Sequence, residues 1–396
     1  MPTDDANRPL PVLRAMVDAI DRDVLQLLAR RTALVGEIGA YKREHGLAIR
    51  DVGREREVLA ERLARAEELG LPGGVVESIW RQVLVASRDH QAALRSEVPL
   101  SEPSRTVAVI GGEGGMGKLL RRLFADLGHA VLNVDLRTEL SAVEAAKVAD
   151  VVVVSVPIRD TEAVIREVGP VLSKDALLMD VTSLKSAPLA AMLEATEASV
   201  VGTHPMFGPG VHTLQGQRVV VCAGRGEEWL AWVKRSLGAR GLEVVEAQPA
   251  DHDRVMALVQ VLNHFRTQVL GLTLARSGLP LDRSLAFTSP AYLLEAYVTA
   301  RHFAQAPALY GPIEMLNPHQ AEVTELFRAC AEEIAGILAR GDQPAFDALF
   351  DEVGDFFGDF TEEALEQSRF LVDRLVELTA GRASASSSAA STEKST

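Results

Sequence analysis

A histidine set among glycines and prolines marks the first place where this chain could do chemistry. Gly202-Thr203-His204-Pro205-Met206-Phe207-Gly208-Pro209-Gly210 holds three glycines and two prolines in nine residues, which reads as an ordered loop. It follows a short apolar strand candidate, Ala198 to Val201, and ligands collect on loops that follow the strands of an α/β sheet. The second place is Gly112, Gly114 and Gly117, spaced G-x-G-x-x-G between the apolar run Thr106 to Ile110 and an amphipathic stretch ending at Leu127. That is the context of a dinucleotide fingerprint. The first glycine would permit the tight turn, the second would admit backbone to a pyrophosphate, and the third would let the helix close on the strand. The helix N-terminus would offer free N–H groups to the anion. A second strand, Ala130 to Asp135, ends in an acid about 20 residues further on, as that fingerprint requires. Asp135 would accept from both ribose hydroxyls and repel a 2′-phosphate, so NAD is favoured, although Arg137 leaves NADP open. The third place is a set of polar residues, Arg14, Arg31, Lys42, Arg54, Glu55, Ser87 and Gln91. They fall on the expected core side of helices, where a plain bundle prefers apolar or neutral groups.

The elements that must position these residues can be read from periodicity. From Leu10 to His45 apolar residues recur at three- and four-residue steps. At 1.5 Å per residue that helix is roughly 50 Å long, more than one small domain can cover. Gly46 stops it, a second helix spans about Arg54 to Leu69, Gly70-Leu71-Pro72 punctuates, and a third runs about Gly74 to Ala93. Three helices with one overlong member suggest an all-α bundle completed by a second chain. Two prolines then mark a linker, and the period changes to an α/β rhythm with strands at Asp150 to Val156, Leu177 to Val181 and Arg218 to Val221. Continuous apolar runs mean strands covered on both faces, hence a mostly parallel sheet. Past Pro249 the strands cease, and Asp251 to Ser277 is so apolar that it should be buried, as in a helical dimer core. The expected organisation is an all-α domain over 1–96, a linker over 97–104, a Rossmann domain over 105–248, a helical dimerisation domain over 249–380 and a Ser/Ala-rich disordered tail over 381–396.

Composition narrows the partners. The 396 residues, 47% hydrophobic and 24% charged, are those of a soluble protein of two or three domains. A net charge of −14 argues against nucleic acid and anionic membranes, yet local arginines could still bind small anions. Cys222 and Cys330 are too few for a disulfide framework or a thiolate metal site, which suggests a reducing cytoplasm and no metal. No run approaches the roughly 18 apolar residues of a membrane span.

Leu13-Arg14, Leu28-Ala29-Arg30-Arg31, Gly39-Ala40-Tyr41-Lys42, Asp51-Val52-Gly53-Arg54-Glu55-Arg56 and Ser87 with Gln91 together resemble the AroQ class of chorismate mutases over Leu10 to Ala93. The resemblance implies that Arg31, Arg54 and the partner chain's Arg14 bind the two carboxylates of chorismate, because guanidinium forks match carboxylate geometry. It puts Lys42 and Gln91 on the ether oxygen, Asp51 and Glu55 on the ring hydroxyl, and Ser87 beside a carboxylate. The rearrangement is pericyclic, so positioning and electrostatic stabilisation suffice. Val154-Ser155-Val156-Pro157-Ile158, Asp180-Val181-Thr182-Ser183-Leu184-Lys185, His204-Pro205-Met206-Phe207-Gly208-Pro209, Asn263-His264-Phe265 and Ser289-Pro290-Ala291-Tyr292 with Arg301 resemble prephenate dehydrogenases over about Arg105 to Leu375. The whole chain is similar to bifunctional chorismate mutase/prephenate dehydrogenases of tyrosine biosynthesis.

That second resemblance implies a neutral His204 accepting the ring hydroxyl proton while hydride leaves for NAD and the ring carboxylate leaves as CO2. Ser155 would orient hydroxyl and imidazole, Arg301 would bind the ring carboxylate, and His264 would be a further binding residue. A homodimer and feedback inhibition by tyrosine are also implied. One departure is Leu293, where the family's Ser-Pro-x-Tyr segment is often followed by arginine. The same order of elements also suits a 3-hydroxyacid-type dehydrogenase fused to a helical dimeriser, with Lys185 as its catalytic lysine. A third reading is an NAD- or tyrosine-sensing regulator with both sites inactive.

Overall fold

The computed structural model describes residues 8–45, 51–96 and 103–392, and the chain divides into two compact units, Met1–Pro249 and Ala250–Thr396. Most of the stretch read as a linker, 97–102, lies outside the described residues, as does the segment at 46–50 that follows Gly46's expected stop.

The first unit opens with α1 (Leu10–Glu44), α2 (Val52–Glu68) and α3 (Gly73–Ser96), with α3 packed on both of the others. Asp51 caps α2, its side chain accepting from the Arg54 amide, which satisfies one of the free N–H groups of the first turn. Along the 35 residues of α1, Leu13, Val17, Ile20, Val24 and Leu34 are exposed, while Val35 is buried. A long helix with a bare apolar stripe needs a second surface.

A seven-stranded sheet follows. Its elements are β1 (Thr106–Ile110), α4 (Gly115–Asp126), β2 (Ala130–Val134), α5 (Ala142–Val148), β3 (Val151–Val154), α6 (Ile158–Val168), β4 (Leu177–Asp180), α7 (Ser186–Ala195), β5 (Ser199–Pro205), β6 (Arg218–Arg225), α8 (Glu227–Ala239) and β7 (Glu243–Glu246). The strand order is β2-β1-β3-β4-β5-β6-β7. Every neighbouring pair is parallel except β5 and β6. Alternate residues feed two cores: Val107, Val151 and Met179 pack with Phe124 on one face, and Ala108, Val152 and Leu178 pack with Ile165 and Met192 on the other. Strands covered twice read as unbroken apolar runs.

Three features differ from expectation. The segment read as a loop from Gly202 is strand as far as Pro205, because antiparallel β6 pairs with it, His204 opposite Val220 and Pro205 opposite Val219. Tertiary pairing overrides the local glycine and proline signal here, and Pro205 is tolerated because it closes the strand. The antiparallel sense of β6 had no local signal. Nor did β7, whose four residues begin and end with glutamate.

The second unit is helical: α9 (Pro249–Met256), a π-helical stretch (Ala257–Leu262), α10 (Asn263–Arg276), α11 (Leu281–Ala286), α12 (Pro290–Phe303), α13 (Pro307–Met315), α14 (Gln320–Arg340), α15 (Gln343–Phe357) and α16 (Phe360–Thr392). The expected burial of Asp251 to Ser277 is only partly met: Met256, Ala257 and Val261 are buried, but Leu258, Val259, Val269 and Leu272 are exposed on the single chain. An exposed apolar face of this kind calls for a further surface to cover it. The backbone of the stretch read as a disordered tail continues in α16 to Thr392, alanine being a strong helix former. No helix among the described residues is long and apolar enough to cross a membrane.

Candidate active sites

In the helical bundle, Arg31 of α1 donates to Ser87 Oγ of α3, and Ser87 in turn donates to the Val83 carbonyl at 2.5 Å. Gln91, one turn further, is buried, and a Cβ on Gly39 of α1 would come within 3.1 Å of its Cγ. Glycine at that point lets α1 approach α3. Lys42 is half-buried on the next turn of α1, and Glu55, at the start of α2, pairs with Arg88 of α3 at 2.5 Å. The bundle thus brings Arg31, Lys42, Glu55, Ser87 and Gln91 onto its covered faces. Desolvation, followed by the neighbouring Arg62 guanidinium, lowers the pKa of Arg31, so an anion placed there would relieve both costs.

Arg14 and Arg54 are exposed on the single chain, contrary to a core-side placement, and Asp51 is exposed too. Asp51 is engaged as the α2 cap, and Arg54 pairs with Glu57 at 3.0 Å in the open. Two residues that sequence alone had not singled out join Arg31. The guanidinium carbons of Arg31 and Arg62 lie 5.8 Å and 4.8 Å from the Trp80 ring centroid. Arg62 belongs to a run of alternating Arg and Glu that reads as a solvated helix face, so no local signal sets it apart.

At the C-terminal end of β1 the chain turns through glycines. The residue with positive φ is Gly111, at 84°, immediately before the first glycine of the fingerprint. Gly111 and Gly112 both donate to the Val134 carbonyl, at 2.8 and 3.0 Å, which binds the turn to β2. Side chains have no room here: a Cβ would lie 2.3 Å from the Ser155 carbonyl at Gly111, 2.2 Å from Asn133 Oδ1 at Gly112 and 2.1 Å from the Gly111 carbonyl at Gly117. A cradle open only to backbone, at the start of α4, fits a pyrophosphate. Asp135, just past β2, accepts from the Glu113 amide at 3.0 Å and the Leu136 amide at 2.9 Å. The Glu113 carboxylate accepts from Asn133 Nδ2 and from Arg121, each at 2.7 Å. Those two bonds, Asn133 first, lower its pKa.

His204 lies at the same end of the sheet, past the C-terminal ends of the parallel strands. Val154, Asp180 and Gly202 are in register across β3, β4 and β5, so Ser155 and His204 emerge at one end, about two strand spacings or ~10 Å apart along the sheet. Ser155 donates its amide to the Ile110 carbonyl at 2.8 Å, beside the glycine turn. His204 is buried at 3% exposure. Beyond it, the loop rests on the cradle: a Cβ on Gly115 would meet Pro209 Cγ at 2.8 Å. Beneath it lies a buried polar cluster. Lys185, fully buried, is ion-paired with Asp180 and donates to the Thr203 carbonyl at 2.7 Å. Thr182 donates its amide and hydroxyl to the same carboxylate at 3.0 and 2.6 Å, and Thr203 Oγ1 donates to the Asp180 carbonyl at 2.6 Å.

In the second unit, Arg301 is exposed on α12. His264, two residues past the π-helical stretch, is no satisfied core histidine: its Nδ1 lies 3.7 Å from Glu314 Oε1 and makes no hydrogen bond. Desolvation first, and His302 second, lower its pKa to about 4. Tyr310 stacks on His302 at 4.0 Å and meets His264 edge-on at 4.8 Å. Gln268 donates to Glu314 at 2.8 Å, while burial raises the Glu314 pKa. Gln268, His302, Tyr310 and Glu314 were not foreseen, because polar residues scattered over three helices show no common spacing.

Known proteins align with this architecture along its length. The chain matches Chorismate mutase type II over residues 13–92, the nucleotide-binding domain of prephenate dehydrogenase over 126–246 and its dimerization domain over 248–352. The T-protein of Enterobacter agglomerans is 36% identical over 365 residues, 92% of this chain and 97% of that protein. The T-protein of Haemophilus influenzae is 33% identical over 371 residues, 93% and 98% of the two chains. Among solved structures, prephenate dehydrogenase from A. aeolicus in complex with hydroxyphenyl propionate and NAD+ superposes with a TM-score of 0.52 at 19% identity, covering 64% of this chain and 97% of that one, a likeness of fold. The chain therefore belongs to the T-protein family, in which a type II chorismate mutase and a prephenate dehydrogenase are joined in one polypeptide.

Proposed function

We propose a division of labour for this bifunctional enzyme of tyrosine biosynthesis, which rearranges chorismate to prephenate and oxidises prephenate with NAD. In the bundle, Arg31 and Ser87 hold one carboxylate of chorismate, and Lys42 and Gln91 donate to the ether oxygen as its C–O bond breaks. Glu55 and Asp51 fix the ring hydroxyl, with Arg54 and the partner subunit's Arg14 completing anion binding. The bare apolar stripe of α1 supports a homodimer in which such sharing is possible.

In the dehydrogenase, NAD supplies the hydride acceptor. Gly112, Gly114 and Gly117 with the start of α4 hold its pyrophosphate, and Asp135 holds the adenosine ribose. His204 accepts a hydrogen bond from the ring hydroxyl of prephenate and draws off its proton as the C–H bond breaks. CO2 leaves, the ring becomes aromatic, and the product phenol recovers the proton. Ser155 orients hydroxyl and imidazole, Arg301 binds the ring carboxylate, and His264 assists binding. The observation that carries this reading is the shared end of the sheet, at which buried His204, Ser155 and the glycine cradle all lie. The two fully engaged partners of Lys185 disfavour a catalytic lysine and with it the 3-hydroxyacid alternative.

The same proposal includes domains at 1–96, 105–248 and 249–380, a cytoplasmic setting and inhibition by tyrosine. Supplying chorismate and NAD together tests the whole: NADH and 4-hydroxyphenylpyruvate should both accumulate. Prephenate accumulating without NADH would remove the dehydrogenase half.

A further inference from the structure

The glycine cradle contains an acid that the dinucleotide fingerprint does not call for. Glu113 occupies the variable position between Gly112 and Gly114, and its amide is bound to the Asp135 carboxylate at 3.0 Å. That bond fixes the Glu113 backbone next to the group proposed to take the adenosine ribose. The carboxylate is not free to swing away, since Asn133 Nδ2 and Arg121 both hold Oε1 at 2.7 Å and Lys118 lies 3.5 Å from Oε2. Arg121 is held in turn by the Gly112 carbonyl at 3.1 Å. Asn133 is wedged against the turn, its Oδ1 at 2.2 Å from where a Gly112 Cβ would be.

Two consequences follow from charge. A 2′-phosphate on the ribose would face a second carboxylate besides Asp135, and like charges at short range repel. The cations of α4 that could have answered that phosphate, Arg121 and Lys118, are already turned onto Glu113. We infer that Glu113 is a specificity-determining residue of the dehydrogenase, excluding NADP both by its own charge and by engaging Arg121. This rests on Asp135 as the ribose acceptor.

The test is calorimetric titration of the full-length protein with NAD and with NADP, which reads binding without turnover. Glu113→Gln keeps the hydrogen-bonding shape but removes the charge, and with it the ion pairs that hold Arg121 and Lys118 to this position. The ratio Kd(NADP)/Kd(NAD) should fall about tenfold, equivalent to ~1.4 kcal/mol. In the double variant Glu113→Gln/Arg121→Gln, at least half of that gain, on a logarithmic scale, should disappear. A ratio within twofold of the unsubstituted protein in Glu113→Gln overturns the inference. A full gain retained in the double variant overturns the part assigned to Arg121. Asp135→Ala separates the two levels: if it leaves NAD affinity intact, the ribose assignment itself fails, whereas a weakened NAD site with an unmoved Glu113→Gln ratio sinks the inference alone.

Discussion

Lys185 donates to the main-chain carbonyl of Thr203, the residue immediately before His204, while its charge is ion-paired with Asp180. Both side chains are fully buried. The ammonium thus ties the end of β4 to β5 and fixes the backbone from which the imidazole projects. Removing it leaves the Asp180 carboxylate buried with only hydroxyl and amide donors, a change that typically costs 3–5 kcal/mol, so about that loss is expected in Lys185→Met. Urea denaturation followed by circular dichroism should show a markedly lower midpoint together with reduced dehydrogenase turnover. Full stability with abolished turnover would instead favour a catalytic lysine.

His204→Asn keeps a polar side chain of similar reach but cannot take a proton. Dehydrogenase kcat should fall by ~100-fold or more, the range of a lost general base, with NAD affinity and mutase rate retained as internal controls. A dehydrogenase rate near that of the unsubstituted protein takes His204 out of the mechanism.

Lys42→Ala should abolish mutase activity and leave the conversion of supplied prephenate intact. Lys42 sits in the helical bundle, half-buried one turn from Gly39 and its contact with Gln91. Loss of an electrostatic donor of this type costs about 2.7–4 kcal/mol of transition-state stabilisation, 10²–10³ in rate. Parallel loss of both activities would mean that the bundle and the sheet do not function separately.

Periodicity made the architecture legible: the long first helix, the α/β rhythm and the helical second unit all follow from local spacing, and two covered faces explain why β1, β3 and β4 read as plain apolar runs. Partner-dependent features were not legible. Gly202 to Pro205 looks like a loop until β6 lies beside it, and no local pattern announces an antiparallel strand. The glycine spacing located the cradle but not its left-handed residue, because Gly111 and Gly112 are indistinguishable until the Ser155 carbonyl is in place against the former. The polar neighbours of His264 come from α10, α12 and α13. Only folding brings such residues together.

Arg301→Gln should raise the KM for prephenate by at least tenfold with a smaller change in kcat. A charge-assisted bond to a carboxylate contributes about 1.5–3 kcal/mol to binding. Steady-state kinetics at saturating NAD reads the split. A change confined to kcat would reassign Arg301 away from the carboxylate.

The His264 cluster gives the second unit an acid sensitivity of calculable sign. Burial, reinforced by His302, holds the folded imidazole to about 4, against 6.5 ordinarily. As pH falls from 6.5 toward 4 the unfolded chain takes up a proton that the folded chain refuses, so stability drops across that window and levels off below it. His302, also lowered by burial, acts in the same direction. Glu314 acts in the opposite one: burial raises its pKa, so the folded state is protonated first and gains stability as pH falls toward the ordinary 4.5. Gln268, uncharged, does not titrate. His264→Gln deletes the first contribution and leaves the other two in place. The urea midpoint of the unsubstituted protein should therefore decline relative to that of the variant between pH 7 and pH 4, the fall beginning near the 6.5 of a free imidazole. A difference between the two midpoints that stays constant over this range would show that His264 is protonated as readily folded as unfolded.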